Sequence, residues 1–148
     1  MSNIRIGMPV LARHEGDWIG TYTTVDNEGT VLETYESHLT CEFPETAQYP
    51  YLQTNRYTWP DGKVQKYQFP GSYRNKKLWF DTERIKGHAW EADNSIVILY
   101  FSYKEIPDAY VYEMIHLSDC NNYRARTWHW FKNQQLYQRT LIQEERRR

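Results

Sequence analysis

The chain has 148 residues and a formal net charge of −1, with 18 basic and 19 acidic side chains mixed along its length, so no field gathers nucleic acid or an anionic membrane. That length suits a single domain over residues 1–148, which buries a core without metals or disulfides. No apolar run approaches the roughly 20 residues of a membrane helix, and Met1 to Val10 lacks the apolar segment of a signal peptide, so a cytoplasmic protein is expected.

In chain order, the one helix candidate is a short stretch around Pro9 to His14. Turn signals then recur at Asp26-Asn27-Glu28-Gly29, Pro60-Asp61-Gly62, Pro70-Gly71-Ser72, Ala92-Asp93-Asn94, Pro107-Asp108, Asp119-Cys120-Asn121-Asn122 and Lys132-Asn133-Gln134. The runs between them are rich in Val, Ile, Thr, Tyr, Phe and Trp, an all-β pattern. They predict strands at Trp18 to Val25, Thr30 to Phe43, Tyr51 to Trp59, Lys63 to Phe69 and Lys77 to Phe80. Five more follow at Ile85 to Glu91, Ser95 to Tyr103, Ala109 to Leu117, Tyr123 to Phe131 and Leu136 to Glu145. Ten sequential strands with hairpin-length connections leave two vulnerable edges when laid flat, and closure removes both. The expected fold is therefore all-β, an up-and-down antiparallel β-barrel with a short N-terminal helix. The closing run Glu144, Glu145, Arg146, Arg147, Arg148 reads as a solvated mixed-charge end.

Aromatic residues make up 16% of the chain, including 13 Tyr and 6 Trp, more than a core of this size requires, and such side chains suit ligand pockets. Because strand side chains alternate between faces, each strand offers two candidate linings. Tyr51, Gln53, Asn55, Tyr57 and Trp59 form the more plausible interior of their strand, and Tyr35, Ser37, Leu39, Cys41 and Phe43 that of theirs, leaving His38 outside. Two choices stay open: Arg124, Arg126, Trp128 and Trp130 against Tyr123, Ala125, Thr127, His129 and Phe131, and Tyr110, Tyr112, Met114 and His116 against Val111, Glu113, Ile115 and Leu117. On Ile85 to Glu91, His88 and Trp90 oppose Gly87, Ala89 and Glu91, the small residues leaving room for a cavity or for the N-terminal helix.

Cys41 and Cys120 stand in no zinc spacing and read as reduced thiols; the histidines form no HxH or HExxH pattern, so no metal is expected. With no GxSxG and no Gly-rich phosphate loop, no cofactor is expected either. The candidate inward cluster is Tyr22, Asn55, Tyr57, His88, Tyr112, His116 and Arg126. These types suit cofactor-free proton chemistry by a lyase, isomerase or cyclase on a small apolar or aromatic molecule. In that reading Arg126 anchors an anion, His116 or His88 moves the proton, and Tyr57 with Tyr22 orients the substrate. Trp18, Trp59, Trp90 and Trp128 shape the walls, and Gln53, Asn55, Tyr112 and Arg124 complete the binding set. The alternative is a non-catalytic carrier of a small hydrophobic ligand; a homodimer with an incidental pocket is the third reading.

The segment Gly16-Asp17-Trp18-Ile19-Gly20-Thr21-Tyr22 resembles the Gly-x-Trp entrance of lipocalin-like (calycin) barrels. That resemblance implies a Trp plugging the closed end beneath an Arg from a late strand, here Arg124, Arg126 or Arg139. With Arg124-Ala125-Arg126-Thr127-Trp128 and the closing strand Leu136 to Arg146, the whole chain resembles the lipocalin-like domains of cyanobacteria and plants that are similar to the bilin lyases. Small barrels of this general class include the cofactor-free phenolic acid decarboxylases, whose motifs find no residue-by-residue match here.

Overall fold

β-branched and aromatic runs cut by turn residues leave the chain little option but consecutive hairpins, and the computed structural model, which describes residues 3–45 and 48–148, shows ten strands closed into a barrel. The strands are β1 (Gly16–Asp26), β2 (Val31–Glu42), β3 (Tyr51–Thr58), β4 (Val64–Arg74), β5 (Lys77–Asp81), β6 (Ile85–Glu91), β7 (Ile96–Tyr103), β8 (Ala109–Leu117), β9 (Tyr123–Lys132) and β10 (Gln135–Arg147). Each pairs antiparallel with the next, and β10 returns to pair with β1 from Asp17↔Arg147 to Asp26↔Gln138.

The expected single helix is two one-turn helices, α1 (Ile4–Gly7) and α2 (Pro9–Ala12), because Pro9 favours opening a new turn over continuing an old one. They cover the barrel end where β1 begins. Met8, Val10 and Leu11 are buried there, and the Leu11 N–H donates to Glu91 Oε2 at 2.8 Å. Among the described residues no helix is long and apolar enough to cross a membrane.

Pro70-Gly71-Ser72, expected as a turn, lies inside β4. Residues Val64–Gly71 pair with β3, but only Gly71–Arg74 pair with β5. Pro70 is tolerated because its strand edge toward β5 is still free at that point. The chain reverses instead at Asn75 and Lys76, whose φ values of 55° and 59° fit the two-residue turn that matches strand twist. The barrel is consequently split between β4 and the β5–β6 connection at the end remote from the helices.

Of the Gly87, Ala89 and Glu91 face, Glu91 takes the contact with the N-terminal helices through the Leu11 N–H, while Gly87 is packed against β7. A Cβ on Gly87 would lie 2.0 Å from the Tyr100 carbonyl oxygen and 2.6 Å from Phe101 Cα, so β6 crosses β7 where only glycine fits.

Candidate binding site

Alternation along β9 and β10 sends Arg124, Arg126, Trp128 and Trp130 inward opposite Glu144, Ile142 and Thr140. The C-terminal charged run is thus solvated only at Glu145, Arg147 and Arg148. Glu144 is 2% exposed, because the pleat that places Ile142 and Thr140 in the core carries Glu144 in with them.

Three layers result. At the covered end, Trp18 is fully buried between the guanidinium carbons of Arg124, 4.6 Å from its ring centroid, and Arg146, at 4.4 Å. Its indole N–H donates to the His14 carbonyl at 2.9 Å. Arg124 thus takes the position that the lipocalin resemblance implies, joined by Arg146, while Arg139 faces away from the Trp18 plug.

Above the plug lies a charged layer. Glu144 Oε1 accepts from Arg124 Nε at 2.8 Å, and Glu144 Oε2 from Arg126 Nη1 at 3.1 Å. Arg126 Nε donates to Glu113 Oε2 at 2.6 Å and its Nη1 to the Tyr22 hydroxyl at 2.8 Å. Burial alone would raise the Glu144 carboxyl, but Arg124 and Arg126 outweigh it and hold it below the ordinary carboxylate range. Burial, reinforced by the nearby arginines, holds His14 well below the usual imidazole value. It is neutral, and Arg124 Nη1 lies 3.1 Å from its Nδ1. Burial pushes the phenols of Tyr22 and Tyr57 up against the pull of Arg126, so near neutral pH both are hydrogen-bond donors and not bases.

The third layer is a cavity of about 190 Å³ opening toward the split end. Its walls are aromatic, among them Tyr35, Tyr57, Trp59, Tyr67, Tyr103, Trp128 and Trp130, and its floor holds Glu113 and Arg126. Along β3 a chain of side-chain hydrogen bonds rises from the covered end toward the cavity: Tyr51 to Gln53 at 2.9 Å, Gln53 to Asn55 at 2.9 Å and Asn55 to Tyr57 at 2.7 Å. At the mouth, Arg84 from the β5–β6 connection stacks 4.2 Å above the Tyr67 ring and bridges the split. Two donors of cavity-lining residues remain uncommitted. Trp128 Nε1 is buried without a hydrogen bond, and Arg126 Nη2 makes none among the described residues.

Of the residues expected from sequence, Gln53, Asn55, Tyr57, Trp59, Arg126 and Trp128 line this cavity. Tyr22 lies beneath it in the charged layer, and Trp18 and Arg124 lie below that. His88, Trp90, Tyr112 and His116 are not in the barrel; they stand on its outer face, and the proton-transfer role expected of the two histidines has no place inside. The cause is collective: β8 buries Val111 and Leu117 at 0% exposure, and a strand cannot choose its face one residue at a time, so Glu113 goes in and Tyr112 and His116 go out. On β6, burial of Ile85 and Ala89 likewise turns His88 and Trp90 outward. Glu113 belonged to the inward set left open on its strand, and Glu144 was missed. Their signal was the inward Arg124 and Arg126 pair, which demands carboxylates at inward positions of adjoining strands. Among the described residues no three His, Cys, Asp or Glu side chains are grouped to hold a metal ion.

The barrel is similar to several solved structures. It matches the S-type phycobiliprotein lyase CPES from Guillardia theta over 100% of this chain and 99% of that one, with TM-score 0.74 and 13% identity. It matches Rv2717c from M. tuberculosis over 96% and 98%, with TM-score 0.68 and 11% identity. A DUF3598 protein of unknown function from Nostoc punctiforme PCC 73102 matches with TM-score 0.70 and 14% identity, over 93% of this chain and 49% of that one; the chain spans about half the length of that protein. At these identities the likeness is one of fold. No curated protein sequence matches the chain. Residues 9–148 match the family described as Domain of unknown function (DUF3598), N-terminal, and the chain belongs to that family.

Proposed function

We propose that this barrel binds a small planar molecule of one or two rings that offers an uncharged hydrogen-bond acceptor to the cavity floor. The observation that carries the reading is the aromatic-walled cavity of about 190 Å³ bordered by the uncommitted donors Trp128 Nε1 and Arg126 Nη2. An apolar cavity of about 150 Å³ suffices for benzene, so the volume suits a ring or two and falls short of the 300–1,000 Å³ of drug-sized pockets. The sequence expectation that Arg126 anchors an anion is set aside in this reading. Glu113 and Glu144 already balance Arg126 and Arg124, and burying a further carboxylate there carries a large desolvation cost.

A second reading, acid–base turnover of the same ligand, is supported by the meeting of Tyr57, Arg126 and Glu113 at the cavity lining, where Glu113 is the carboxylate within reach of a bound molecule in place of the outward histidines. Similarity to a phycobiliprotein lyase accords with either reading.

Titration of tryptophan fluorescence with methyl 4-hydroxycinnamate and with free 4-hydroxycinnamate, followed by mass spectrometry of the recovered compound, tests both. Binding predicts saturable quenching, at least tenfold weaker binding of the free acid, unaltered probe, and about tenfold loss of affinity in Trp128→Phe, the worth of one hydrogen bond. Preference for the acid would overturn the uncharged-acceptor reading. A new species that disappears in Glu113→Gln would establish turnover.

A further inference from the structure

Hydrogen-bond polarity runs one way along the inner wall of β3 and ends at Tyr57. Gln53 Nε2 donates to Asn55 Oδ1 at 2.9 Å, and Asn55 Nδ2 donates in turn to the Tyr57 oxygen at 2.7 Å. A second hydrogen bond joins that oxygen to Tyr22, and burial decides its direction. Arg126 Nη1 can only donate, and it does so to the Tyr22 oxygen at 2.8 Å. Tyr22 is 0% exposed, and a buried hydroxyl keeps its own proton bonded inside the protein. The Tyr57 oxygen is the acceptor beside it. Both lone pairs of Tyr57 are then filled by donors, neither neighbour takes its proton, and the residue lines the cavity.

We infer that the Tyr57 hydroxyl is a third donor into this cavity, beside Trp128 Nε1 and Arg126 Nη2, and that the ligand is a ketone or aldehyde conjugated to an electron-releasing ring. The inference rests on the ring-binding reading above and names the class of molecule for that site. The three donor residues are packed about one side chain. The rings of Tyr57 and Trp128 lie 5.2 and 5.5 Å from that of Tyr22, and the Arg126 guanidinium carbon lies 5.5 Å from it. A neutral carbonyl oxygen offers two lone pairs, so three fixed donors favour an oxygen that carries extra negative charge. An amino or hydroxyl group at the far end of a conjugated ring moves charge onto the carbonyl oxygen. It does so without the net charge that Glu113 and Glu144, already paired with Arg126, would oppose. An alcohol or ether oxygen gathers no such charge.

Absorption and tryptophan-quenching titrations of the full chain test this with two probes of one shape, 4-(dimethylamino)acetophenone and its carbonyl-free counterpart 4-ethyl-N,N-dimethylaniline. The ketone is expected to bind at least tenfold more tightly than the ethyl compound. Its absorption maximum when bound should stay near its position in water, whereas aromatic walls without donors would move it to the blue, toward its position in toluene. Tyr57→Phe should move the bound maximum to the blue and weaken the ketone about tenfold, with the ethyl compound unaffected. Unchanged near-ultraviolet circular dichroism verifies that the variant folds; where it does not, the two titrations of the natural sequence decide. Equal affinity for the two probes, a bound maximum at the toluene position, or equal weakening of both probes by a folded Tyr57→Phe would overturn the inference and leave ring binding in the cavity standing. Absence of quenching by either probe would overturn both.

Discussion

Replacing Glu144 with alanine is expected to cost about 3–5 kcal/mol, the typical penalty for leaving buried charge unpaired. Two guanidinium groups depend on this carboxylate, Arg124 at 2.8 Å and Arg126 at 3.1 Å, and each is 3% exposed, so water cannot take its place. Against the total of about 5–15 kcal/mol that holds a domain folded, the loss shifts thermal unfolding down by roughly 10–15 °C at this chain length. Glu144→Gln keeps the shape and an acceptor oxygen and should lose less. The pH dependence has a definite sign. Because the folded-state value of Glu144 lies below that of the unfolded chain, its contribution is present above the ordinary carboxylate range and disappears as pH falls through the lowered value. Urea unfolding from pH 7 downward should therefore show a smaller acid-induced loss in Glu144→Gln than in the natural sequence.

Trp18→Ala is the other substitution with a large expected effect, about 3–5 kcal/mol from the cavity alone. The indole is fully buried between Arg124 and Arg146, and a desolvated cation–π contact adds about 2 kcal/mol. Trp18→Phe keeps a ring between the two cations but loses the hydrogen bond to the His14 carbonyl, so it should retain a large share of the stability. Equilibrium urea unfolding of the two variants separates packing from hydrogen bonding. Equal losses would mean that the bond to His14 matters more than the stacked ring.

Strand positions were legible because turn chemistry is local: Asn133 and Gln134, with φ of 51° and 65°, close the β9–β10 hairpin where the sequence reading put a turn. Faces were legible where one side of a strand is plainly apolar, as on β2, or carries the larger rings, as on β3. They were illegible on β6 and β8, whose outward sides carry His88, Trp90, Tyr112 and Met114. Such an aromatic outer wall has the composition of a pocket, and side-chain type alone does not tell the two apart. The charged layer was hidden for a different reason. Glu113 and Glu144 look like surface acids singly, and become core residues only when the register brings them to Arg126 and Arg124, a pairing between strands that no single segment displays. Pro70 misled because a proline reads as a turn unless the strand is known to have a free edge there.

The most direct test of the central claim, that the interior cavity holds a small planar ligand, is to fill it. Leu99 lines the cavity on β7, in register with Glu113 of β8, and Leu99→Trp would occupy the space between the cavity floor and the mouth. Isothermal titration with methyl 4-hydroxycinnamate should show one site per chain in the natural sequence and no measurable heat of binding in a folded Leu99→Trp. Equal binding by both proteins would place the ligand elsewhere and contradict the account.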